Sequence, residues 1–282
     1  MYPTLFSIGE LDFHSYTVAM SIAFLIGALL TVERNYKLEH PYPITPAGGL
    51  WVFVFALVGA RLYYIIQYGD ISRAYEALYI WQGGLVFYGG LFGGILGAMI
   101  YLRLVRVPVL PIADIAMPYL GLAHGVARVG CFLNGCCWGS VAEHLPWAVH
   151  FPKGSNPYDS QVDLGLIQRG AEHSLAVHPS QLYETTGLFI IFLITRAVYN
   201  RPHRLGTVAM LYPMLYGILR FFVEACRGDS YRHGWGLTAS QWVAIGLIIF
   251  SICGFIVLRF TLWRREEPEA PQEPPTEEPA AS

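Results

Sequence analysis

Three arginines, Arg61, Arg128 and Arg220, stand inside or at the ends of stretches that are otherwise apolar. A charge at the centre of a bilayer costs about 2.5–3.5 kcal/mol on insertion scales, so each must snorkel to the interface, pair with an acid or meet an anionic ligand. Arg61, near the end of its stretch, fits snorkelling and substrate contact equally. Arg128 and Arg220 fit the ligand reading better, because a guanidinium fork matches phosphate oxygens in geometry and charge, and a lipid headgroup supplies such a phosphate. Their neighbours add to this. His124 precedes Arg128 by four residues, and Tyr216, Arg220 and Glu224 recur at the same interval, so each set shares one helix face. A buried neutral imidazole at His124 can accept a proton, which makes it a candidate base beside a phosphate-binding arginine. Between the two arginines comes His178-Pro179-Ser180-Gln181-Leu182-Tyr183-Glu184. His178 reads equally as a histidine at a helix start and as part of a headgroup pocket, and Gln181 and Glu184 share that ambiguity.

Cys131, Cys136 and Cys137 put three thiols within seven residues. Such a cluster can bind metal or form a disulfide on the oxidising side of a membrane, with Cys226 a candidate partner. No C-x-x-C pair flanks it, so no metal site is expected from the usual ligand spacing. Packing of small thiols in a tight glycine-rich turn is the favoured reading, and Cys253 reads as packing too.

The elements that must position these residues follow from composition. Of 282 residues, 54% are hydrophobic and 13% charged, and apolar runs near the roughly 20 residues that cross a bilayer recur along the chain. Spans are predicted at 16–31, 47–66, 84–104, 110–129, 182–199, 205–224 and 238–260. The fold class is therefore an all-α polytopic membrane protein of about seven transmembrane helices. The fourth span is polar for its place, carrying Pro111, Asp114, Pro118 and His124, and is expected to be broken or to line a cavity. Lys and Arg counted over alternate loops divide ten to five, with three more inside spans. This bias places the N-terminus outside and the C-terminus in the cytoplasm.

The start of the chain lacks a basic n-region and a small-residue cleavage site, so the first apolar segment is expected to remain as a span. Residues 131–177, rich in Pro, Gly, Ser and Asp, then form a small extracytoplasmic cap on a transmembrane domain covering 1–263. Residues 264–282, mostly Glu, Pro and Ala, are expected to be a disordered cytoplasmic tail. Trp81, Trp147 and Trp235 fit an interfacial aromatic belt, while His150 and His173 read as solvated cap residues. There is no repeat, coiled coil or nucleotide-binding glycine motif, and neither a cofactor nor a nucleic-acid partner is expected.

His178-Pro179-Ser180-Gln181-x-Tyr183-Glu184 followed by Tyr216-Gly217-x-x-Arg220-Phe221-x-x-Glu224 is specific in combination. With Gly83-Gly84-Leu85-Val86-Phe87-Tyr88-Gly89-Gly90 and Tyr16, these segments resemble the bacterial prolipoprotein diacylglyceryl transferases. The resemblance runs in the same order to about residue 260. It implies a seven-helix enzyme of the bacterial inner membrane, surrounded by membrane lipids. Such an enzyme moves the diacylglyceryl group of phosphatidylglycerol to the lipobox cysteine of a prolipoprotein signal peptide, forming a thioether and releasing glycerol phosphate. By the same resemblance Arg128 and Arg220 match the family's two important arginines, and Tyr16, Asn134, Gly139, Tyr216 and Glu224 match further functional positions. The chain departs from the usual pattern at Ala127, Cys131 and Cys136, where glycine, asparagine and glutamate are common, and at Tyr88, where histidine is common. A cysteine-bearing branch of the family, with G-C-F-x-x-G-C-C-x-G, looks like this chain.

The implied reaction sets two tasks. Charge building on the leaving phosphate needs pre-placed donors, which Arg128 and Arg220 supply. The substrate thiol, with a free pKa near 8.5, needs a base or a positive field. A phenol with a pKa near 10 is a poor base at neutral pH, so that role is expected to pass from Tyr88 to His124, with Tyr88 holding the imidazole or the lipid ester. Tyr16 and Asn134 are expected to orient the headgroup. Two other classes stay open from the sequence: a non-catalytic relative that binds anionic lipid or lipoprotein precursors, and a membrane thiol oxidoreductase using the cysteine cluster.

Overall fold

Among the described residues, seven helices are long and apolar enough to cross a membrane. They are α1 (Ser15–Tyr36), α2 (Pro46–Tyr68), α3 (Phe87–Leu104), α4 (Val109–Asn134), α6 (Ser180–Tyr199), α7 (Thr207–Ala225) and α8 (Ala239–Thr261), with a short α5 (Asn156–Asp163) between α4 and α6. The structure is a computed structural model that describes residues 4–8, 11–68, 86–229 and 236–262. Trp81, Trp235, the first residues of the glycine-rich segment and the tail 264–282 lie outside the described residues. Each span expected from the sequence corresponds to one helix. An antiparallel hairpin of β1 (Thr4–Ile8) and β2 (Leu11–His14) precedes α1 and was not foreseen.

Large apolar side chains such as Ile66, Phe92, Leu104, Phe222 and Phe260 stand exposed around the bundle. In a soluble protein that would be a liability, whereas in a bilayer these faces meet acyl chains and the helices satisfy their own backbone. With lipid on one side, helices associate through small residues that let backbones approach. Gly59 on α2 shows this most sharply, since a β-carbon there would lie 2.4 Å from the Gly89 carbonyl oxygen of α3. The central helix α4 uses the same device on several faces. Ala123 and Ala127 pack with Ala23 of α1, Gly125 meets Leu188 of α6, and Gly121 meets the Tyr212 ring of α7.

Of the two expectations for the fourth span, the break is overturned. α4 is an unbroken helix of 26 residues that runs through Pro118. Its polarity has another cause: Asp114 is buried and accepts hydrogen bonds from the backbone N–H groups of Gly206, at 2.6 Å, and Ala209, at 2.7 Å. The first turn of α7 has unpaired N–H groups, and a carboxylate on the neighbouring helix satisfies them.

α4 and α7 end, and α1, α3, α6 and α8 begin, at one end of the bundle, where the segment after α4 folds into a cap. The cap has its own small core, with Phe151, Ala142 and Val177 almost fully buried. Val177 pairs with both Val141 and Val149, which ties the cap to the chain entering α6.

Candidate functional site

Glu184, in the first turns of α6, is the centre of a buried charge cluster between α4, α6 and α7. Its side chain is 2% exposed. Oε1 lies 3.0 Å from Arg128 Nη2, and Oε2 lies 3.0 Å from Arg220 Nη1. The Tyr216 hydroxyl donates to Oε1 at 3.2 Å, and His124 Nε2 is 3.9 Å from the same oxygen. One carboxylate thus gathers both arginines, the candidate base and the candidate phenol.

The four-residue spacing on α7 does what the sequence implies and extends further. Arg220 sends Nη2 to Glu224 Oε2 at 2.7 Å and donates to Ser240 Oγ at 3.1 Å. Glu224 in turn accepts from Thr238 Oγ1 at 2.9 Å, and Thr238 caps α8 through a reciprocal pair with Gln241. Arg220 is therefore braced by three helices. Four residues before Tyr216, the same face presents Tyr212, whose ring stacks parallel to Tyr216 at 6.2 Å. His124 sits between these phenols: its ring centroid is 4.8 Å from that of Tyr216, and Nδ1 is 3.4 Å from the Tyr212 hydroxyl.

Tyr88 does not take the place expected for it beside the imidazole. It is 42% exposed at the start of α3, with its ring edge-on to Phe87, and Tyr212 and Tyr216 occupy the positions against His124 instead. Arg61 is buried on α2 with its guanidinium over the Tyr64 ring at 5.3 Å, a cation–π contact outside the Glu184 cluster. Tyr16 begins α1 where that helix presses on Gly130 of α4, within electrostatic reach of Arg128 and the three clustered cysteines.

The turn after α4 brings the remaining sequence candidates together. Gly135 and Cys137 have left-handed backbones, with φ of 74° and 62°, so the chain reverses tightly, at some strain for a cysteine. Gln181 is 1% exposed and donates through Nε2 to the Cys136 carbonyl at 2.8 Å. Ser180 donates to the Cys137 carbonyl at 2.8 Å, and Asn134 lies beside the Cys136 thiol. Gly139 has a packing reason to be glycine, because a β-carbon there would fall 2.5 Å from the His178 carbonyl oxygen and 2.8 Å from that of Cys226. The His178 ring turns to Tyr183, with Nδ1 3.2 Å from its hydroxyl, and belongs to the cap junction rather than the Glu184 cluster.

All five cysteines are free thiols, so the Cys226 disulfide weighed from the sequence is not formed. The Sγ atoms of Cys131, Cys136 and Cys137 nevertheless all lie within 4.8 Å of one another, close enough to share a metal ion. Metal binding, raised by the three close thiols but set aside for want of a C-x-x-C pair, is favoured by the left-handed turn that folds Cys136 and Cys137 back onto α4. Arg128 Nη1 is 3.8 Å from Cys137 Sγ. Hydrogen bonds from Cys131 and Cys136, then the positive charges of Arg227 and Arg128, pull the Cys137 thiol below its ordinary range. Arg227 is itself held by Asp229 through two contacts of 2.7 and 2.8 Å.

Glu184, Tyr212, Ser240 and Arg227 were thus missed or left undecided by sequence reasoning. Tyr212 was findable as the next step of the α7 stripe, whereas the role of Glu184 depends on contacts between helices far apart in the chain. Arg128 Nε and Gln181 Oε1 are buried and lack a hydrogen-bond partner among the described residues, polar capacity left over at the edge of the cluster.

A family model described as prolipoprotein diacylglyceryl transferase matches residues 3–257. A phosphatidylglycerol–prolipoprotein diacylglyceryl transferase of Proteus mirabilis is 31% identical over 290 residues, covering 97% of this chain and 96% of its own length. The enzyme of the same name from Finegoldia magna is 33% identical over 251 residues, covering 88% of this chain and 92% of its own. That of Photorhabdus laumondii is 31% identical over 262 residues, with 89% and 90% covered.

Proposed function

The chain belongs to the prolipoprotein diacylglyceryl transferase family, and from that premise we propose how its buried charge cluster carries out the family's reaction. It is a multi-pass enzyme of the bacterial inner membrane. It transfers the diacylglyceryl group of phosphatidylglycerol to the lipobox cysteine of a prolipoprotein. The transferase is thereby chosen over the non-catalytic lipid binder and the thiol oxidoreductase.

The observation that carries the mechanism is the sharing of Glu184 by Arg128 and Arg220. Two guanidiniums on different helices are held a carboxylate's width apart, and a phosphodiester presents oxygens at a similar spacing. Phosphatidylglycerol brings its phosphate to the same forks, which turn to it from Glu184, while Glu224 keeps the Arg220 guanidinium aimed. The leftover N–H of Arg128 Nε is available to the same phosphate. Tyr16 and Asn134 orient the headgroup from the start of α1 and the end of α4, and Tyr88, exposed on α3, meets the lipid ester.

In the transfer itself the lipobox sulfur attacks the glycerol carbon that bears the phosphate. The S–C bond forms as the C–O bond breaks, and its electron pair passes to the phosphate oxygen, where both arginines oppose the growing charge. The thiol proton goes to His124. In the tautomer that carries its proton on Nδ1, toward the Tyr212 oxygen, Nε2 has its lone pair on the side facing Glu184 and is the accepting atom. After protonation, Nε2–H faces the Glu184 carboxylate.

The orientation with the N-terminus outside and the C-terminus in the cytoplasm puts the cluster near the outer leaflet, supported by the ten-to-five division of basic residues. On this reading residues 1–263 are the transmembrane transferase, 131–177 its outer cap and 264–282 a cytoplasmic tail. Reporter fusions at Ser282 and within Asn156–Asp163 are expected to fall on opposite sides, and two fusions on one side would refute the orientation. The catalytic reading is tested by transfer of labelled lipid from phosphatidylglycerol to a lipobox peptide. Arg128→Lys and Arg220→Lys, which keep the charge and lose the fork, are each expected to slow turnover by about tenfold or more, the value of one charge-assisted contact. Wild-type rates in both would make the arginines structural.

A further inference from the structure

We propose that Cys131, Cys136 and Cys137 form a three-thiolate site for a thiophilic divalent cation of the zinc class, whose open fourth position takes the lipobox thiol. The fourth-position claim rests on the transfer reading above; the metal site stands on geometry alone.

Three sulfurs within 4.8 Å of one another are close to what a tetrahedral ion requires. Metal–sulfur bonds of about 2.3 Å place sulfurs roughly 3.8 Å apart, and small side-chain rotations close the difference. The backbone that carries two of them is fixed independently of any metal, by Gln181 on the Cys136 carbonyl and Ser180 on the Cys137 carbonyl. Cys131 is set by the last turns of α4. None of the three is spent in a disulfide.

Donor type and charge select the ligand class. Thiolates favour zinc or similarly soft ions over magnesium or calcium. Three thiolates around a divalent cation carry one net negative charge, and positive charge lies close by. Arg128 Nη1 is 3.8 Å from Cys137 Sγ, and the Arg227 charge also acts on Cys137. Three protein ligands with one position open is the pattern of a reactive rather than a purely structural zinc site.

That position suits the reaction. A thiol that coordinates such an ion is deprotonated outright: the S–H bond breaks, a metal–sulfur bond forms and the proton passes to His124. The coordinated sulfur then forms the S–C bond while the C–O bond breaks toward the phosphate held by Arg128, and the neutral thioether dissociates as a weak ligand. No atom changes oxidation state at the metal. Arg128 links the two half-sites, since one face reaches the Cys137 sulfur and the other reaches Glu184.

The test uses the full chain in detergent, loaded with cobalt as the probe ion. Thiolate-to-cobalt charge transfer and tetrahedral d–d bands are expected in stoichiometric yield, lost in Cys131→Ser, Cys136→Ser and Cys137→Ser and retained in Cys253→Ser. A lipobox peptide is expected to shift the d–d bands, and the same peptide with its cysteine replaced by serine to leave them alone. Absence of thiolate bands in the wild-type chain overturns the site, and bands indifferent to the lipobox thiol overturn the fourth-position claim; neither result depends on how a variant folds. Lipid transfer measured alongside separates the two readings. Undiminished transfer after chelation has removed the bands defeats the proposed role of the metal and leaves the transfer reading intact. Thiol-sensitive bands in a chain that transfers no lipid defeat the transfer reading instead.

Discussion

Asp114 on α4 and Glu184 on α6 are both almost fully buried carboxylates, and they are satisfied in opposite ways. Asp114 receives two backbone N–H groups from the start of α7. Glu184 receives two guanidiniums and a phenol, all at the ends of side chains. A backbone amide cannot leave its acceptor without unwinding a helix, whereas a guanidinium can turn from a carboxylate to a phosphate by changing rotamers. The first carboxylate is thus committed to the fold, and the second holds donors that a substrate can borrow. What distinguishes a functional buried acid from a structural one here is the mobility of its partners, since burial is nearly the same.

Substitutions at the two acids and their partners sharpen that contrast. The largest effect is expected for Glu184→Ala, which leaves Arg128 and Arg220 buried side by side without their shared counter-ion. Removing one member of a buried charge pair costs about 3–5 kcal/mol, so both folded yield and transfer should fall steeply, read by thermal unfolding in detergent and by the lipid-transfer assay. Next comes His124→Gln, which keeps a polar side chain and removes the base. General-base loss is worth about a hundredfold or more. The rate should recover partly as pH rises through the free thiol range near 8.5, where the substrate ionises unaided; normal transfer at neutral pH would exclude His124 as the proton acceptor.

Asp114→Asn is expected to act on stability alone, because one of the two α7 amides loses an oxygen acceptor. A loss of about 1–3 kcal/mol with the transfer rate per folded molecule unchanged would set it apart from Glu184, and an equal loss of turnover would erase the contrast. The smallest effect is expected for Tyr212→Phe, which removes the hydroxyl facing His124 Nδ1 and leaves the ring stack. One neutral hydrogen bond of about 0.5–1.5 kcal/mol corresponds to a slowing of roughly two- to tenfold, visible in kcat rather than KM.

The seven helices were legible because lipid imposes a long apolar run that few other constraints mimic. The residues of the site were legible for a related reason: Arg128, Arg220 and Glu224 are costly where they stand, and the four-residue steps from His124 to Arg128 and from Tyr216 through Arg220 to Glu224 show which face of each helix they share. What remained hidden depended on contacts between helices. The polarity of α4 looked like a break until Asp114 was seen capping a helix distant in sequence. Glu184 looked like an ordinary residue near a helix start until two arginines from other helices converged on it. Tyr88 was placed at the base by its position in a motif, yet its helix packs on α2 through the Gly59–Gly89 contact and leaves it exposed. The three sulfurs meet only because Cys137 adopts a left-handed backbone, which no spacing rule for metal ligands anticipates.

The central claim is that Arg128 and Arg220 pass from Glu184 to the phosphate of phosphatidylglycerol. Phosphorus-to-guanidinium-nitrogen dipolar recoupling, on the arginine-labelled chain in nanodiscs containing phosphatidylglycerol, measures that contact directly. The expected result is close contact between the lipid phosphorus and two guanidiniums, with one lost in Arg128→Lys and the other in Arg220→Lys. A bound lipid whose phosphorus is remote from both guanidiniums, while both remain on Glu184, would contradict it.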